Sequence, residues 1–270
     1  MMANPFCVDI NILEVRDLSV SFSASAGPVK VVDDISFDIK KNEIFGIVGE
    51  SGSGKTVTAL SILKLIDPSG RITAGKVIFG GMDILKIDEE RMRQIRGSRI
   101  SMVFQEPSTS LDPVFTAGYQ IEEAALAHGK MTTSAAKDAA IELLKTVHIK
   151  DPMKVYSSYP HQLSGGTKQR VSIAMALVNS PELVIMDEPT TALDVTIQSG
   201  ILDLISEIVT VKKISVLFIS HDLGVINRMC RRVAIMRRGK IVESGDKDAV
   251  LKNPSNSYTA SLLASARALS

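Results

Sequence analysis

Two short stretches hold the residues whose types and spacing could do chemistry. The first is GESGSGKT, Gly49–Thr56, set between the apolar run IFGIVG and VTALSILKLI. It fits G-x-x-x-x-G-K-[S/T] in full, between a predicted strand and a predicted helix. Gly49, Gly52 and Gly54 allow a backbone path and a close approach that a Cβ would block. Successive N–H groups then face inward as an anion nest, and the following helix turns its positive end to the same point. Lys55 supplies a cation for phosphate oxygens, and the Thr56 hydroxyl is a Mg²⁺ ligand. The second stretch is LVIMDEPT, an apolar run ending in Asp187 and Glu188. A carboxylate at a strand end beside a phosphate loop is where Mg²⁺ needs an outer ligand. Alternation along an extended chain sends the two side chains to opposite sides, one for the metal and one for water. The bland alternatives are a chance match in a glycine-rich loop and a pair of surface acids. The strand-before, helix-after setting weighs against the first, and the apolar run against the second.

The elements that must hold these stretches can be read from periodicity. NILEVRDLSVSF and VKVVDDISFDIKKNE alternate as strands around a turn at Ser23–Pro28. EIFGIVG reads as a strand buried on both faces, TVTALSILKLI as a helix, and AGKVIFGGMDI and SRISMVFQ as further strands. From about 117 to 180 the pattern turns helical. One helix lies behind Ser134 as a predicted N-cap, and another runs from the Ser/Gly/Gly stretch to Asn179 and Pro181. Strand–helix alternation then returns through ELVIMD, VTIQSGILDLISEIVTVKK, ISVLFIS, LGVINRMC and a hairpin over RRVAIMRRGKIVESG. Ile197, Ile201, Leu204, Ile205 and Ile208 share one helical face, as a helix covering a sheet requires. The alternation predicts a mainly parallel sheet, with the helical stretch as an insert. A short helix is expected after Asn253.

Composition excludes little but narrows the class. Lys+Arg number 31 and Asp+Glu 30, so no strong field draws the chain to nucleic acid. The basic clusters Arg91/Arg93/Arg96/Arg99 and Arg231/Arg232/Arg237/Arg238 are interrupted by apolar residues and read as solvated faces. Cys7 and Cys230 form neither a disulfide framework nor a metal spacing, which fits a reducing compartment. The four histidines do not have metal-ligand spacing. No secretory signal is expected at MMANPFCVDI, and no apolar run reaches the ~18 residues of a membrane span.

With LSGG at Leu163–Gly166, the chain resembles the ATP-binding subunits of ABC transporters. The resemblance covers about residues 12 to 260 and brings the motifs in order. They are Phe22, the loop at 49–56, Gln105, LSGGTKQR at 163–170, LVIMDEPT at 183–190, ALD at 192–194 and His221. It implies an α/β fold, a P-loop NTPase (RecA-like) core with an N-terminal antiparallel β subdomain and an inserted α-helical subdomain. The expected division is a single ABC ATPase domain over 10–260. Residues 10–48 and 75–104 go with the antiparallel part, 49–74 and 181–245 with the core, about 105–180 with the helical insert, and 246–270 form a tail.

The resemblance also implies roles. ATP and Mg²⁺ are the expected cofactors. Phe22 stacks on adenine, with a core phenylalanine as its plain alternative. Gly49, Glu50, Ser51, Gly52, Ser53, Gly54, Lys55 and Thr56 hold the phosphates. Thr56, Gln105 and Asp187 serve the metal. Glu188 is the general base or the water-orienting carboxylate, Gln105 touches the attacking water, and His221 contacts the γ-phosphate. Ser164, Gly165 and Gly166 close the site of a second ATPase subunit, in a homo- or heterodimer, and Asp194 couples the two sites. Two positions depart from the usual pattern. Thr167 stands where many relatives have Gln, which leaves its polar contact to the sugar open, and Thr56 replaces Ser with its hydroxyl kept.

FQEPSTSLDPVFTAGYQIEE, YPHQLSGG and NPSNSYTASLLAS resemble the branch that powers import of oligopeptides, dipeptides and nickel. The implied partners are two polytopic membrane subunits and, indirectly, an extracytoplasmic solute-binding protein, with no nucleic acid. The implied location is the cytoplasmic face of the inner membrane, as a peripheral subunit. No iron–sulfur cluster is expected, because no cysteine follows Cys230. The competing readings are a soluble ABC ATPase acting on nucleic acid or ribosomes, and an inactive binding module.

Overall fold

The computed structural model describes residues 11–25, 27–106, 110–129, 131–191 and 193–269. Cys7, Ala192 of the ALD stretch and residues 107–109 of the FQEPSTS run lie outside the described residues. Two sheets organise the chain. The first is antiparallel, in the order β2-β1-β4-β5, with β1 at Asn11–Ala24, β2 at Gly27–Lys40, β4 at Gly70–Phe79 and β5 at Met82–Asp83. The second runs β10-β9-β3-β8-β7-β6. Its strands are β3 Ile44–Val48, β6 Ile100–Val103, β7 Leu183–Asp187, β8 Ser215–Ser220, β9 Arg232–Arg237 and β10 Lys240–Asp246. Neighbours from β9 to β6 pair in parallel, and only β10 pairs antiparallel.

The parallel strands read as unbroken apolar runs because each face of the sheet meets its own core. Val184, Met186, Val216, Phe218, Val233 and Ile235 enter one cluster, among the helices. Their neighbours Leu183, Ile185, Leu217, Ile219, Ala234 and Met236 enter the other, under the antiparallel sheet. Phe37 of β2 stacks on Phe45 of β3 with ring centroids 5.4 Å apart. Arg232 lies over Phe45 and bonds Asp38 at 2.9 Å and Glu43 at 3.3 Å, tying the two sheets together.

Helices α1 (Lys55–Ile62), α2 (Glu89–Ile95), α3 (Ala117–Leu126), α4 (Thr133–Thr146), α5 (Pro152–Tyr156) and α6 (Gly165–Leu177) follow in chain order. After them come α7 (Val195–Lys212), α8 (Leu223–Met229), α9 (Lys247–Lys252) and α10 (Ser257–Leu269). Helices α3 to α6 pack on one another as the insert. No helix among the described residues is long and apolar enough to cross a membrane.

Several expectations need correction. Residues 10–48 and 75–104 do not share one sheet: β3 and β6 pair within the parallel sheet, where a strand apolar on both faces is covered by a core on each side and hydrogen-bonded along its edges. Strand β4 starts at Gly70, not near 75. The cap of α4 is Thr132, whose hydroxyl accepts from the Ala135 N–H at 3.3 Å, and Ser134 lies inside the helix. The basic clusters are not uniformly solvated. Arg96 donates to the Leu63 carbonyl at 2.6 Å, closing the end of α1, and Arg232 joins the sheets.

In the insert, a side chain on Gly118 would collide with the Tyr156 ring, whose hydroxyl donates to Glu122. Gly118→Ala should therefore cost about 1–3 kcal/mol in urea unfolding, and less in a Tyr156→Ala background.

Candidate active site

Parallel register places one end of five strands along a single edge, and each strand delivers a loop there. Strand β3 leads into the glycine loop and α1. Gly54, with φ of 105°, is the cap of α1, which has neither a side-chain cap nor an acid in its first turn. The first N–H groups of that helix are thus left for an anion. Gly49 admits no side chain, because the Met236 carbonyl of β9 occupies the space. Lys55 is buried and donates to the Gly49 and Glu50 carbonyls at 2.8 and 3.0 Å. Burial pushes its pKa down, and Glu188 and Asp187 pull it partly back.

Asp187 ends β7. It is 2% exposed, and its Oδ1 has no hydrogen-bond partner. Burial raises its pKa, opposed by a hydrogen bond from Thr56. Glu188 follows with φ of 48°, in the left-handed region. The chain is not extended there, so alternation does not set the direction of the Glu188 side chain. Glu188 Oε1 lies 4.0 Å from Lys55, which also feels Asp187. Glu188 Oε2 accepts from Gln105 Nε2 at 3.1 Å and from Thr191 Oγ1 at 2.9 Å. His221 Nδ1, just beyond β8, lies 3.0 Å from the same oxygen. An ionised carboxylate only accepts, so the proton of that pair belongs on Nδ1.

The other expected residues lie apart from this cluster. Ser164 caps α6, and its hydroxyl shares a 2.9 Å hydrogen bond with Thr167 Oγ1 and accepts from Thr167 N at 3.3 Å. Ser164 and Gly165 are exposed, whereas Gly166 packs tightly, a Cβ there lying 2.6 Å from Ile197. Among the described residues, no hydrogen bond or ion pair joins this stretch to the glycine loop or to Glu188. Asp194 caps α7, accepting from Ile197 N at 2.9 Å. Phe22 is half-buried and packs beside Gly70 in the core under the antiparallel sheet. Glu50, Ser51 and Gly52 are exposed, and Ser53 is buried with its hydroxyl unpartnered.

Residues 32–191 match the family described as ABC transporter. The chain belongs to the ABC transporter family. It is 48% identical over 254 residues to the peptidoglycan transport ATP-binding protein YejF of Agrobacterium fabrum, covering 94% of this chain and 46% of that protein. It is 47% identical over 255 residues to each of two Bacillus subtilis proteins, the dipeptide transport ATP-binding protein DppD and the oligopeptide transport ATP-binding protein OppD. Those matches cover 94% of this chain and 76% and 71% of the relatives. The chain thus spans about half of the first relative and about three quarters of the other two. Among solved structures, it is similar to the ATP-binding cassette MJ0796 in a dimeric, post-hydrolysis state bound to ADP and Pi. The TM-score is 0.78 and the identity 26%, over 87% of this chain and 98% of that one. The cassette fold accounts for the shared strand edge.

Thr191 belongs to none of the motifs that mark the site in the sequence. Its signal is a hydroxyl three residues beyond the carboxylate, in a turn closed by the Thr191 N–H to the Glu188 carbonyl at 3.2 Å. It holds Glu188 Oε2 without belonging to another strand. Thr191→Val should lower ATP turnover by about three- to tenfold at unchanged KM, and Thr191→Ser should restore it.

Proposed function

We propose that this chain is the ATP-hydrolysing subunit of an ABC importer, one ATPase domain that energises uptake of peptides or of nickel and other metal chelates. The observation that carries the reading is the meeting of Lys55 from the glycine loop with Glu188, beside Gln105 and His221. Cation, base and water-orienting groups come from four strand ends onto one point. The peptide part of the cargo rests on the relatives' names, dipeptide and oligopeptide transport ATP-binding proteins. Nickel rests on the sequence resemblance alone.

The residues present fit Mg²⁺. Asp187 carries a buried oxygen with no partner beside the exposed Thr56 hydroxyl, a pair of oxygen donors of the kind Mg²⁺ takes. Thr56, Asp187 and Gln105 would hold the ion, which when bound neutralises charge on the β- and γ-phosphate oxygens. The chain's own groups do the rest. The uncapped first turn of α1 and the loop N–H groups bind phosphate oxygens. Lys55 gives up its two carbonyl partners for them, since an ammonium has only three donors. Gln105 and His221 then turn from Glu188 towards the phosphate side. Glu188 keeps Thr191, and its freed lone pairs orient water and take its proton. Phe22 stacks on the base.

Ser164, Gly165 and Gly166 act on the nucleotide of a second ATPase subunit, identical or related. The exposure of Ser164 and Gly165 at the start of α6, unconnected to this chain's own glycine loop, supports that reading. Two polytopic membrane subunits dock near Gln105. A 770 Å³ cleft between α2, α3, α6 and β6 opens beside it, rimmed by Arg93, Phe104, His128 and Met175. Val114, Phe115 and Tyr119 also stand exposed, with Phe115 stacked on Tyr119 of the insert. The subunit sits on the cytoplasmic face of the membrane, and the solute-binding protein acts from the other side.

Glu188→Gln should bind ATP normally and accumulate as an ATP-bound dimer in size-exclusion chromatography, with turnover down at least about a hundredfold. Lys55→Ala should lose most ATP affinity in equilibrium titration. Full turnover in the first variant, or unchanged binding in the second, contradicts the assigned chemistry.

A further inference from the structure

The hairpin at the end of the parallel sheet reaches back to the glycine loop. Arg237 of β9 pairs with Lys240 of β10, so Arg238 and Gly239 alone make the turn. Their φ values are 46° and 81°, the two left-handed residues of a type I′ turn. Such a turn closes from its first residue to its fourth and does not use the polar groups of its third. Both of those groups find partners in other segments. The Gly239 N–H donates to the Ser53 carbonyl of the glycine loop at 2.9 Å. The Gly239 carbonyl accepts from the Asp33 N–H of β2 at 2.8 Å. The fit is close. A Cβ on Gly239 would stand 2.6 Å from the Val31 carbonyl oxygen, and one on Gly54 would stand 2.8 Å from the same atom.

The bond to Ser53 decides which way one peptide of the loop faces. The peptide between Ser53 and Gly54 is trans, so its C=O and N–H point in opposite directions. With the Ser53 carbonyl turned to Gly239, the Gly54 N–H faces away from the hairpin. Among the described residues, that N–H makes no hydrogen bond. It adjoins the uncapped first turn of α1.

We propose that Gly239 is a positioning residue for the nucleotide: its N–H turns the 53–54 peptide so that the Gly54 N–H meets a phosphate oxygen. The proposal rests on the reading of residues 49–56 as the phosphate loop. Without the tether the peptide is free to turn in the nucleotide-free chain, and the ligand must order it at a cost in affinity. Among the described residues, Gly239 bonds neither Glu188 nor His221, so the chemical step does not depend on it.

Replacing Gly239 by glycolic acid tests this, because the resulting ester keeps the chain and removes only that N–H. Nonsense suppression in cell-free translation delivers it in the full chain. The expected result is a Kd for MgATP raised about three- to tenfold, KM rising with it and kcat at saturating ATP unchanged. Gly239→Ala should raise Kd at least as much, by pressing on the Val31 carbonyl. Gly118→Ala is the control for lost stability, since it lies in the insert away from the hairpin, and it should keep the wild-type Kd. In proton–nitrogen spectra of the wild type, the Gly54 amide should shift downfield on adding MgATP. A Kd within about twofold of the wild type for the ester, an equal loss of affinity in Gly118→Ala, or a Gly54 amide that does not move each overturns the proposal. A wild-type chain that binds no MgATP overturns the phosphate-loop reading itself.

Discussion

A single carboxylate oxygen, Glu188 Oε2, collects side chains from three places at once: the end of β6, the end of β8 and its own turn. Burying a carboxylate is costly unless its lone pairs are filled, and here two of the three partners, Gln105 and His221, are distant in sequence. The arrangement exists only because the parallel strands end in register. Val103 pairs with Met186, and Asp187 with Ile219. A slip of one residue in any of them would turn its terminal side chain to the other face. The two cores that clamp the sheet from both sides fix that register, so packing of the interior and geometry of the site are one constraint.

Much of this is legible in the amino-acid sequence. The glycine loop and the paired acids stand out because each sits at the end of an apolar run, where a strand must stop. Gln105 and His221 do not stand out by pattern and are implied only by the family resemblance. Pattern does not supply the direction of the Glu188 side chain. Alternation assumes an extended chain, and a left-handed residue ends it. Thr191 is invisible to pattern for the same reason, since its contact depends on that turn. Sheet membership fails at β3, whose short apolar run says that it is buried but not between which partners. The basic clusters mislead because a count of charges ignores the carbonyls and carboxylates that tertiary contacts bring to Arg96 and Arg232. Thr132 and Ser134 both have capping hydroxyls, and a helix boundary read from pattern is ordinarily uncertain by about that spacing.

The tail and the insert approach the site from different sides. α10 packs Tyr258 against Arg237, the residue after the Met236 carbonyl that abuts Gly49, while the insert lines the cleft across from β6. The glycine loop and Gln105 thus rest on different parts of the fold. A disturbance at one support does not have to pass through the other.

Gly166 sets α6 directly on Ile197, one turn into the helix that Asp194 caps. Only the Ile197 side chain lies between the two helix starts, with no room for a second one from α6. A shift of α6 against α7 would therefore have to carry Ile197 with it, and Ile197 is the residue whose N–H Asp194 caps.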